Sequence, residues 1–234
     1  MLAIVAPMAT EIAGVRRAIL DPQGKGVMTR VTGVGRQSTE ASVTALAARS
    51  PEAILMIGFC GGADPELLTG DLHLADVFLS AERMEPIAAD PGIANRLEAW
   101  ADGHETRVVH GPSVTVGAVA NSKVKSALHA ATGAMTVNME DYWAATTAAA
   151  YGIPFASLRA VLDTAGDELP DYLGDVGDGL VNVLGGVARH PGRVASLLRL
   201  ARMARVAQNR LAHCVPGLLE APPVLPAGMG PLIR

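Results

Sequence analysis

The chain has 234 residues, of which 50% are hydrophobic, 3% aromatic and 18% charged, and its formal net charge is −4. This length and apolar content suit one folded domain and exclude a largely disordered chain. The mildly acidic balance disfavours a nucleic-acid-binding protein, whose surface is normally basic. No apolar run reaches the roughly 20 residues that a membrane-spanning helix needs. The N-terminus lacks the basic region of a secretion signal, so we expect a cytoplasmic protein.

Short apolar segments alternate with helical patterns along the chain. Apolar runs predict strands at residues 2–6, 27–31, 53–57, 71–79, 108–116, 134–137 and 155–162. Helical periodicity predicts helices at residues 9–20, 38–48, 122–131 and 140–151. This alternation predicts a three-layer α/β fold, in which helices flank a mainly parallel, twisted mixed sheet. We expect one domain over 1–215, with a basic helix at about 191–213, and a Pro/Gly-rich tail at 216–234.

Two glycine-rich segments follow predicted strands, Gly33-Val34-Gly35 and Gly58-Phe59-Cys60-Gly61-Gly62. In open α/β sheets, ligands bind beyond the carboxyl ends of the strands. The backbone N–H groups of these segments could bind an anion or a ribose, although tight strand-to-helix turns explain the same glycines. Neither segment has the phosphate-loop or dinucleotide-binding pattern, which disfavours an ATPase or a dehydrogenase.

Three carboxylates also lie at predicted strand ends. Asp163 directly follows the strand at 155–162, so it is either a functional acid with a raised pKa or a helix N-cap. Glu140 lies at a strand-to-helix junction, where it is either a cap or an acceptor for two hydroxyls of a sugar. Glu11, considered alone, is more typical of a helix surface.

The sequence offers neither a metal site nor a disulfide framework. Cys60 and Cys214 are far apart, and none of the six histidines has a second ligand at metal-binding spacing. Cys60, between glycines, is either a reactive thiol or a small buried side chain. We therefore expect no metal and no bound cofactor.

The charge is unevenly distributed. Residues 1–178 contain 22 acidic and 12 basic residues, whereas residues 179–234 contain one acidic residue and seven arginines. Apolar residues near this end recur at mostly three- and four-residue steps: Val194, Leu197, Leu198, Ala201, Ala204 and Leu211. Two interpretations stay open: a covering helix with solvated arginines, or a basic amphipathic helix that contacts the inner membrane surface peripherally.

Several short motifs occur in one order along residues 1–165. They are Ala6-Pro7-Met8 with Glu11, Thr32-Gly33-Val34-Gly35, Gly58 to Gly62 with Gly70-Asp71, Met139-Glu140, and Arg159 to Asp163. In this order they resemble the superfamily of purine nucleoside phosphorylases and methylthioadenosine/S-adenosylhomocysteine nucleosidases. Segments 162–165, 168–170 and 189–191 resemble its hopanoid-associated phosphorylase branch, the adenosylhopane nucleosidases.

The resemblance implies cleavage of the N-glycosidic bond of a purine nucleoside. Asp163 would donate a proton to purine N7, and Glu11 would position the nucleophilic water. The substrate contacts implied by position are Gly33, Gly35, Cys60, Gly61, Gly62, Val119, Met139 and Glu140. The resemblance also implies a homo-oligomer.

The implied substrate is adenosylhopane, with release of adenine in hopanoid biosynthesis. The alternatives are a methylthioadenosine/S-adenosylhomocysteine nucleosidase, a purine nucleoside phosphorylase, and a non-enzymatic nucleoside- or lipid-binding protein. Phosphate would be the co-substrate of a phosphorylase.

Two departures from the family pattern affect these expectations. The phosphorylases usually carry a phosphate-binding arginine just before the third-strand glycines, where this chain has Leu55-Met56-Ile57. Arg36 and Arg159 are the substitutes that the sequence offers, and the departure favours water as the nucleophile. The stretch at 116–120 also lacks the aromatic residue that usually stacks on the base.

Overall fold

A computed structural model describes residues 1–19, 26–95, 107–168 and 194–220. Its strands are β1 (Leu2–Ala6), β2 (Val27–Val31), β3 (Ala53–Gly62), β4 (Leu72–Ser80), β5 (Ile87–Ala88), β6 (Val108–Thr115), β7 (Thr136–Asn138) and β8 (Phe155–Asp163). Its numbered helices are α1 (Ala9–Ile19), α2 (Arg36–Ala47), α3 (Ser122–Thr132), α4 (Asp141–Ala150) and α5 (Val194–Glu220).

The eight strands form one mixed sheet in the order β2-β1-β3-β7-β6-β4-β5, and β8 pairs with β3 and β4. The pairs β1–β2, β1–β3, β3–β8, β4–β6 and β6–β7 are parallel. The pairs β3–β7, β4–β5 and β4–β8 are antiparallel. The predicted fold class, a mainly parallel mixed sheet, is confirmed.

The alternation of side chains in β1 shows the three layers. Ile4 and Ala6 pack with α1 and α5 on one face of the sheet. Ala3 and Val5 pack with α2 and α4 on the other face. A strand that is buried on both faces reads as a continuous apolar run, which is why the sequence pattern identified it.

The second glycine-rich segment differs from the prediction. Gly58 to Gly62 continue β3, which we expected to end at Ile57, and they stay paired with β8 or β7. At Gly58, a side chain would lie 2.7 Å from Arg159 Nη1 and 2.8 Å from Glu11 Oε1. The glycines therefore give room for charged side chains across the strand, rather than forming a turn.

The basic C-terminal helix, α5, also differs in its packing face and its end. Its buried residues are Leu200, Ala204, Ala207, Leu211, Cys214 and Val215. Leu198 and Ala201, which we placed on the apolar stripe, are exposed. The helix continues past residue 213 to Glu220 because Cys214 and Val215 hold its last turns in the core. Residues 189–193 and 221–234 lie outside the described ranges.

The arginines of α5 face solvent. Arg199, Arg202, Arg205 and Arg210 are all exposed, while the opposite face packs on α1. Gln208 donates to the Thr10 carbonyl at 2.8 Å, which fixes the register of the two helices. Among the described helices, none is both long enough and apolar enough to cross a membrane.

Candidate active site

Glu11 lies near the start of α1, just beyond the carboxyl end of β1, and its side chain is buried. The Met8 N–H donates to Oε2 and the Phe59 N–H donates to Oε1, each at 2.7 Å. Burial raises the pKa of Glu11 to about 7, although the charge of Arg159 acts in the opposite direction. Such a carboxylate can accept a proton from water near neutral pH. The helix-surface interpretation of Glu11 is wrong.

Glu140 occupies the N-cap position of α4, but its side chain makes no capping hydrogen bond. Its Oε1 accepts from the Gly35 N–H at 3.2 Å, and its Oε2 accepts from Arg159 Nη2 at 3.3 Å. Burial raises the pKa of Glu140, and Arg159 opposes that rise. Gly35 has a φ of 81°, which a residue with a side chain rarely adopts. Glu140 therefore links the first glycine segment to the buried arginine.

Arg159 is the centre of this group of carboxylates and is 1% exposed. Its Nε and Nη2 donate to Asp141 Oδ1 at 3.1 and 2.5 Å, and its Nη1 donates to the Phe59 carbonyl at 3.2 Å. Burial alone would lower the pKa of Arg159, but Asp141 and Glu140 raise it above its ordinary value. We call Glu11, Glu140, Asp141 and Arg159 the arginine cluster.

Asn138 and Ser157 hold the acidic side of the cluster in place. Asn138 Oδ1 accepts from the N–H groups of Glu140 and Asp141 at 3.0 and 2.9 Å, which caps the start of α4. Asn138 Nδ2 and Ser157 Oγ both donate to Asp141 Oδ2, at 3.0 and 2.8 Å. Asp141 therefore accepts hydrogen bonds on both oxygens, from Asn138 and Ser157 on Oδ2 and from Arg159 on Oδ1.

Both arginines considered for phosphate binding are already engaged. Arg159 donates from all three of its nitrogens within the protein. The Arg36 guanidinium lies 4.3 Å from the centre of the Trp143 ring and pairs with Glu40 at 2.9 Å and Glu82 at 3.9 Å. This arrangement favours water over phosphate as the nucleophile.

Asp163, the last residue of β8, is buried against Lys125 of α3. Lys125 Nζ donates to Asp163 Oδ2 at 2.5 Å, to the Thr164 carbonyl at 2.6 Å and to the Asp167 carbonyl at 3.3 Å. Burial raises the pKa of Asp163, and the Lys125 ammonium opposes that rise. No helix begins within the described residues 164–168, so the N-cap interpretation is wrong. We call Lys125 and Asp163 the lysine pair.

Strand β3 brings the arginine cluster and the lysine pair to one edge of the sheet. Glu11 accepts from the Phe59 N–H, and the Asp163 carboxylate lies 3.4 Å from the space that a side chain at Gly61 would fill. A strand rises about 3.3 Å per residue, so these two points are about 7 Å apart. The carboxylates at the ends of β1 and β8, which both run parallel to β3, therefore lie at one edge, as the rule for open sheets predicts. Glu140 follows β7, which runs antiparallel to β3, and joins them through its contact with Arg159.

The Cys60 thiol is buried at this edge, close enough to Asp163 for the charge of that carboxylate to act on it. It packs with Leu67 and Val161, and burial raises its pKa. The reactive-thiol interpretation is wrong, and only the backbone of Cys60 can face a ligand.

The other expected substrate contacts lie around the two groups. Gly33 donates its N–H to the Pro7 carbonyl at 3.2 Å, and Gly62 continues β3 beyond Gly61. Met139 is half-buried beside Glu140, and Val119 is 40% exposed just before α3. Their contacts with a substrate stay predictions.

The sequence prediction missed Lys125 and Asp141. A signal for Lys125 was present, because it lies three residues before the half-buried Leu128 on the inward face of α3. Asp141 directly follows Glu140, and two adjacent acids at a helix start also fit a solvated first turn. The role of Asp141 becomes visible only in the structure, where Arg159 donates to its buried carboxylate.

Comparisons with known proteins show the family of this chain. The model of the phosphorylase superfamily matches residues 7–178. The 5′-methylthioadenosine/S-adenosylhomocysteine nucleosidase of Mycobacterium bovis is 28% identical over 213 aligned positions, which cover 74% of this chain and 80% of that protein.

Two solved structures share the fold. The S-adenosylhomocysteine nucleosidase of Streptococcus pyogenes, in complex with 5-methylthiotubericidin, is 20% identical with a TM-score of 0.74, covering 95% of this chain and 97% of its own. The futalosine hydrolase of Helicobacter pylori is 14% identical with a TM-score of 0.73, covering 94% and 97%. With a family model that spans most of its length, the chain belongs to the phosphorylase superfamily and is an enzyme of that group.

Proposed function

We propose that this protein hydrolyses the N-glycosidic bond of an adenosyl substrate and releases adenine. The observation that carries the proposal is the placement of Glu11 and Asp163 at two points about 7 Å apart along β3. One nucleoside can lie between them, with its sugar beside the arginine cluster and its base beside the lysine pair.

The chemistry that follows uses both groups. Asp163 donates a proton to purine N7, which makes the base a better leaving group. Positive charge then develops on the ribose, where the carboxylates of Glu11, Glu140 and Asp141 outnumber the single Arg159. Glu11 holds a water molecule and accepts its proton as the water attacks C1 of the sugar. Glu140 accepts hydrogen bonds from the ribose hydroxyls.

We propose methylthioadenosine or S-adenosylhomocysteine as the first substrates to test. The support is the M. bovis relative, whose name gives these two substrates, together with the engagement of Arg36 and Arg159 by other side chains. The adenosylhopane hypothesis rests on segments 162–165, 168–170 and 189–191, and residues 169–170 and 189–191 lie outside the described residues. It stays a prediction, as does the homo-oligomer.

We also propose that any peripheral membrane contact is made by the outer face of α5. The apolar face of this helix packs on the protein core, so the exposed arginines are the groups left for anionic lipids.

The test is adenine release from methylthioadenosine, S-adenosylhomocysteine and adenosylhopane by the full chain. We expect release from at least one of them, and a loss of about 10²- to 10⁴-fold in kcat for Asp163→Asn, because an amide cannot donate the proton. The variant should still bind the substrate. A wild-type protein that binds adenine but releases none would support the non-enzymatic alternative and contradict the proposal.

A further inference from the structure

Lys125 contacts the proposed acid directly, yet the mechanism above gives it no role. Its Nζ is fully buried, and its three N–H groups are directed to Asp163, the Thr164 carbonyl and the Asp167 carbonyl. A buried lysine is costly unless it is paired. Here the partner is the carboxylate that must act as an acid. Burial raises the pKa of Asp163, whereas the adjacent ammonium favours its ionised form, so the two effects oppose each other.

We propose that Lys125 supplies the proton that Asp163 delivers to purine N7, so that the lysine pair works as one acid. This inference rests on the proposed hydrolysis of an adenosyl substrate. Lys125 is a positioning residue, since it acts on the substrate through Asp163.

The proton balance is simple. Lys125 and Asp163 together hold one transferable proton, which in this proposal rests on the Lys125 nitrogen while Asp163 is a carboxylate. As the glycosidic bond breaks, that proton passes from Nζ to Asp163, and Asp163 protonates N7. Asp163 returns to a carboxylate, Lys125 is left as a neutral amine, and the bonding electrons leave with the base. After adenine leaves, Lys125 regains a proton from solvent through Asp163.

The identity of the cation matters for this role. Lysine can release a proton when it is buried, whereas arginine stays charged in proteins. Among the described residues, the other titratable groups that act on the pair are Asp167, on the following loop, and the buried Cys60 thiol of β3. Asp167 is itself ion-paired with Arg199 of α5. Lys125 is thus the proton donor of this group.

The experiment measures kcat/KM against pH for the wild type, Lys125→Met and Lys125→Arg, with Lys123→Met as the matched control. Lys123 is exposed on the same helix, so we expect its variant to match the wild type. In the wild type the proton belongs to the pair, and activity persists into alkaline pH. In Lys125→Met, Asp163 must carry the proton itself, so the basic limb moves to lower pH by at least about one unit.

Lys125→Arg keeps the charge but does not release its proton, so we expect kcat to fall by about 10²-fold at every pH above that at which Asp163 binds a proton itself. In the Asp163→Asn background the same substitution should cost nothing further, because the two residues act as one unit. A purely structural lysine would give neither the shifted limb nor this non-additivity.

Three results separate the possible failures. A wild-type protein that releases no adenine refutes the proposed function. An active wild type with unchanged profiles in both Lys125 variants refutes the inference alone. If Lys125→Met does not fold, two other results would overturn the inference. One is a Lys125→Arg rate equal to that of the wild type. The other is a wild-type activity that falls with rising pH in the ordinary carboxyl range.

Discussion

The arginine cluster and the lysine pair both stabilise buried carboxylates with a buried cation, but the two cations differ. Each buries carboxylates at the edge of the sheet and balances them with one cation. The arginine carries a permanent charge and is shared between Asp141 and Glu140. The lysine carries a removable proton and touches a single carboxylate. A fixed charge suits the place where a sugar cation forms, and a transferable proton suits the place where a base must leave.

The position of the carboxylates sharpens this difference. Glu11 accepts two backbone N–H groups and has no direct ion pair among the described contacts, and burial raises its pKa to about 7. Asp163 contacts its cation directly at 2.5 Å. One carboxylate is therefore ready to take up a proton, and the other lies beside a proton source.

The largest effect should come from Glu11→Gln, which removes the acceptor for the proton of water. We expect kcat to fall by about 10²- to 10⁴-fold. Below pH 7 Glu11 is increasingly protonated and inactive, so the wild-type kcat/KM should fall as pH decreases through about 7. This limb should be absent from the residual activity of the variant.

Glu140→Gln is the matched control for the pH profile, because Glu140 is as buried as Glu11 but faces the sugar hydroxyls in our account. We expect a higher KM and a limb that persists but moves to somewhat lower pH, because the charge of Glu140 helps to raise the pKa of Glu11. A limb that disappears in Glu140→Gln and persists in Glu11→Gln would reverse the two roles.

A smaller effect, on the free energy of unfolding, should distinguish the ion pair between Arg159 and Asp141 from the neutral hydrogen bonds around it. Asp141→Asn leaves Arg159 short of its main partner, and breaking a buried ion pair in this way costs about 3–5 kcal/mol of unfolding free energy. Ser157→Ala removes only a neutral donor to the same carboxylate, which costs about 1 kcal/mol. Urea unfolding of both variants tests the contrast, and equal losses would show that the charge of Asp141 is unimportant.

The smallest effect on catalysis should come from the arginines of α5, which belong to neither group. Arg202→Glu with Arg205→Glu should leave adenine release unchanged and abolish salt-sensitive binding to anionic vesicles, since each arginine contributes about 1 kcal/mol at such a surface. Arg17→Glu with Arg49→Glu makes the same charge change elsewhere on the surface. Equal vesicle binding by all three proteins would rule out contact through α5. Deletion of α5 would not test this contact, because the deletion would also expose the hydrophobic core.

The fold could be predicted from the sequence because the positions of its strands and helices depend on local patterns of residues. The apolar run of β1, the glycines near strand ends and the carboxylates that follow them are readable from neighbouring residues. The convergence of Glu11 and Asp163 could also be inferred, since β1 and β8 run parallel to β3 and the carboxyl ends of parallel strands meet at one edge. That rule does not place Glu140, which follows the antiparallel β7.

The remaining features depend on contacts between residues far apart in the chain. Lys125 and Asp163 are separated by 38 positions, and Arg159 reaches Asp141 across the sheet. The packing face of α5 was misjudged because Leu198 and Leu200 are equally apolar, and only the surface of α1 decides which is buried. No periodicity encodes such pairings.

The central claim, that water attacks the sugar beside the arginine cluster, is tested most directly by identifying the sugar product in the presence of phosphate. With methylthioadenosine as substrate, mass spectrometry should find free methylthioribose, with the rate independent of phosphate. Methylthioribose 1-phosphate as the product, or release that requires phosphate, would contradict the account and make the protein a phosphorylase.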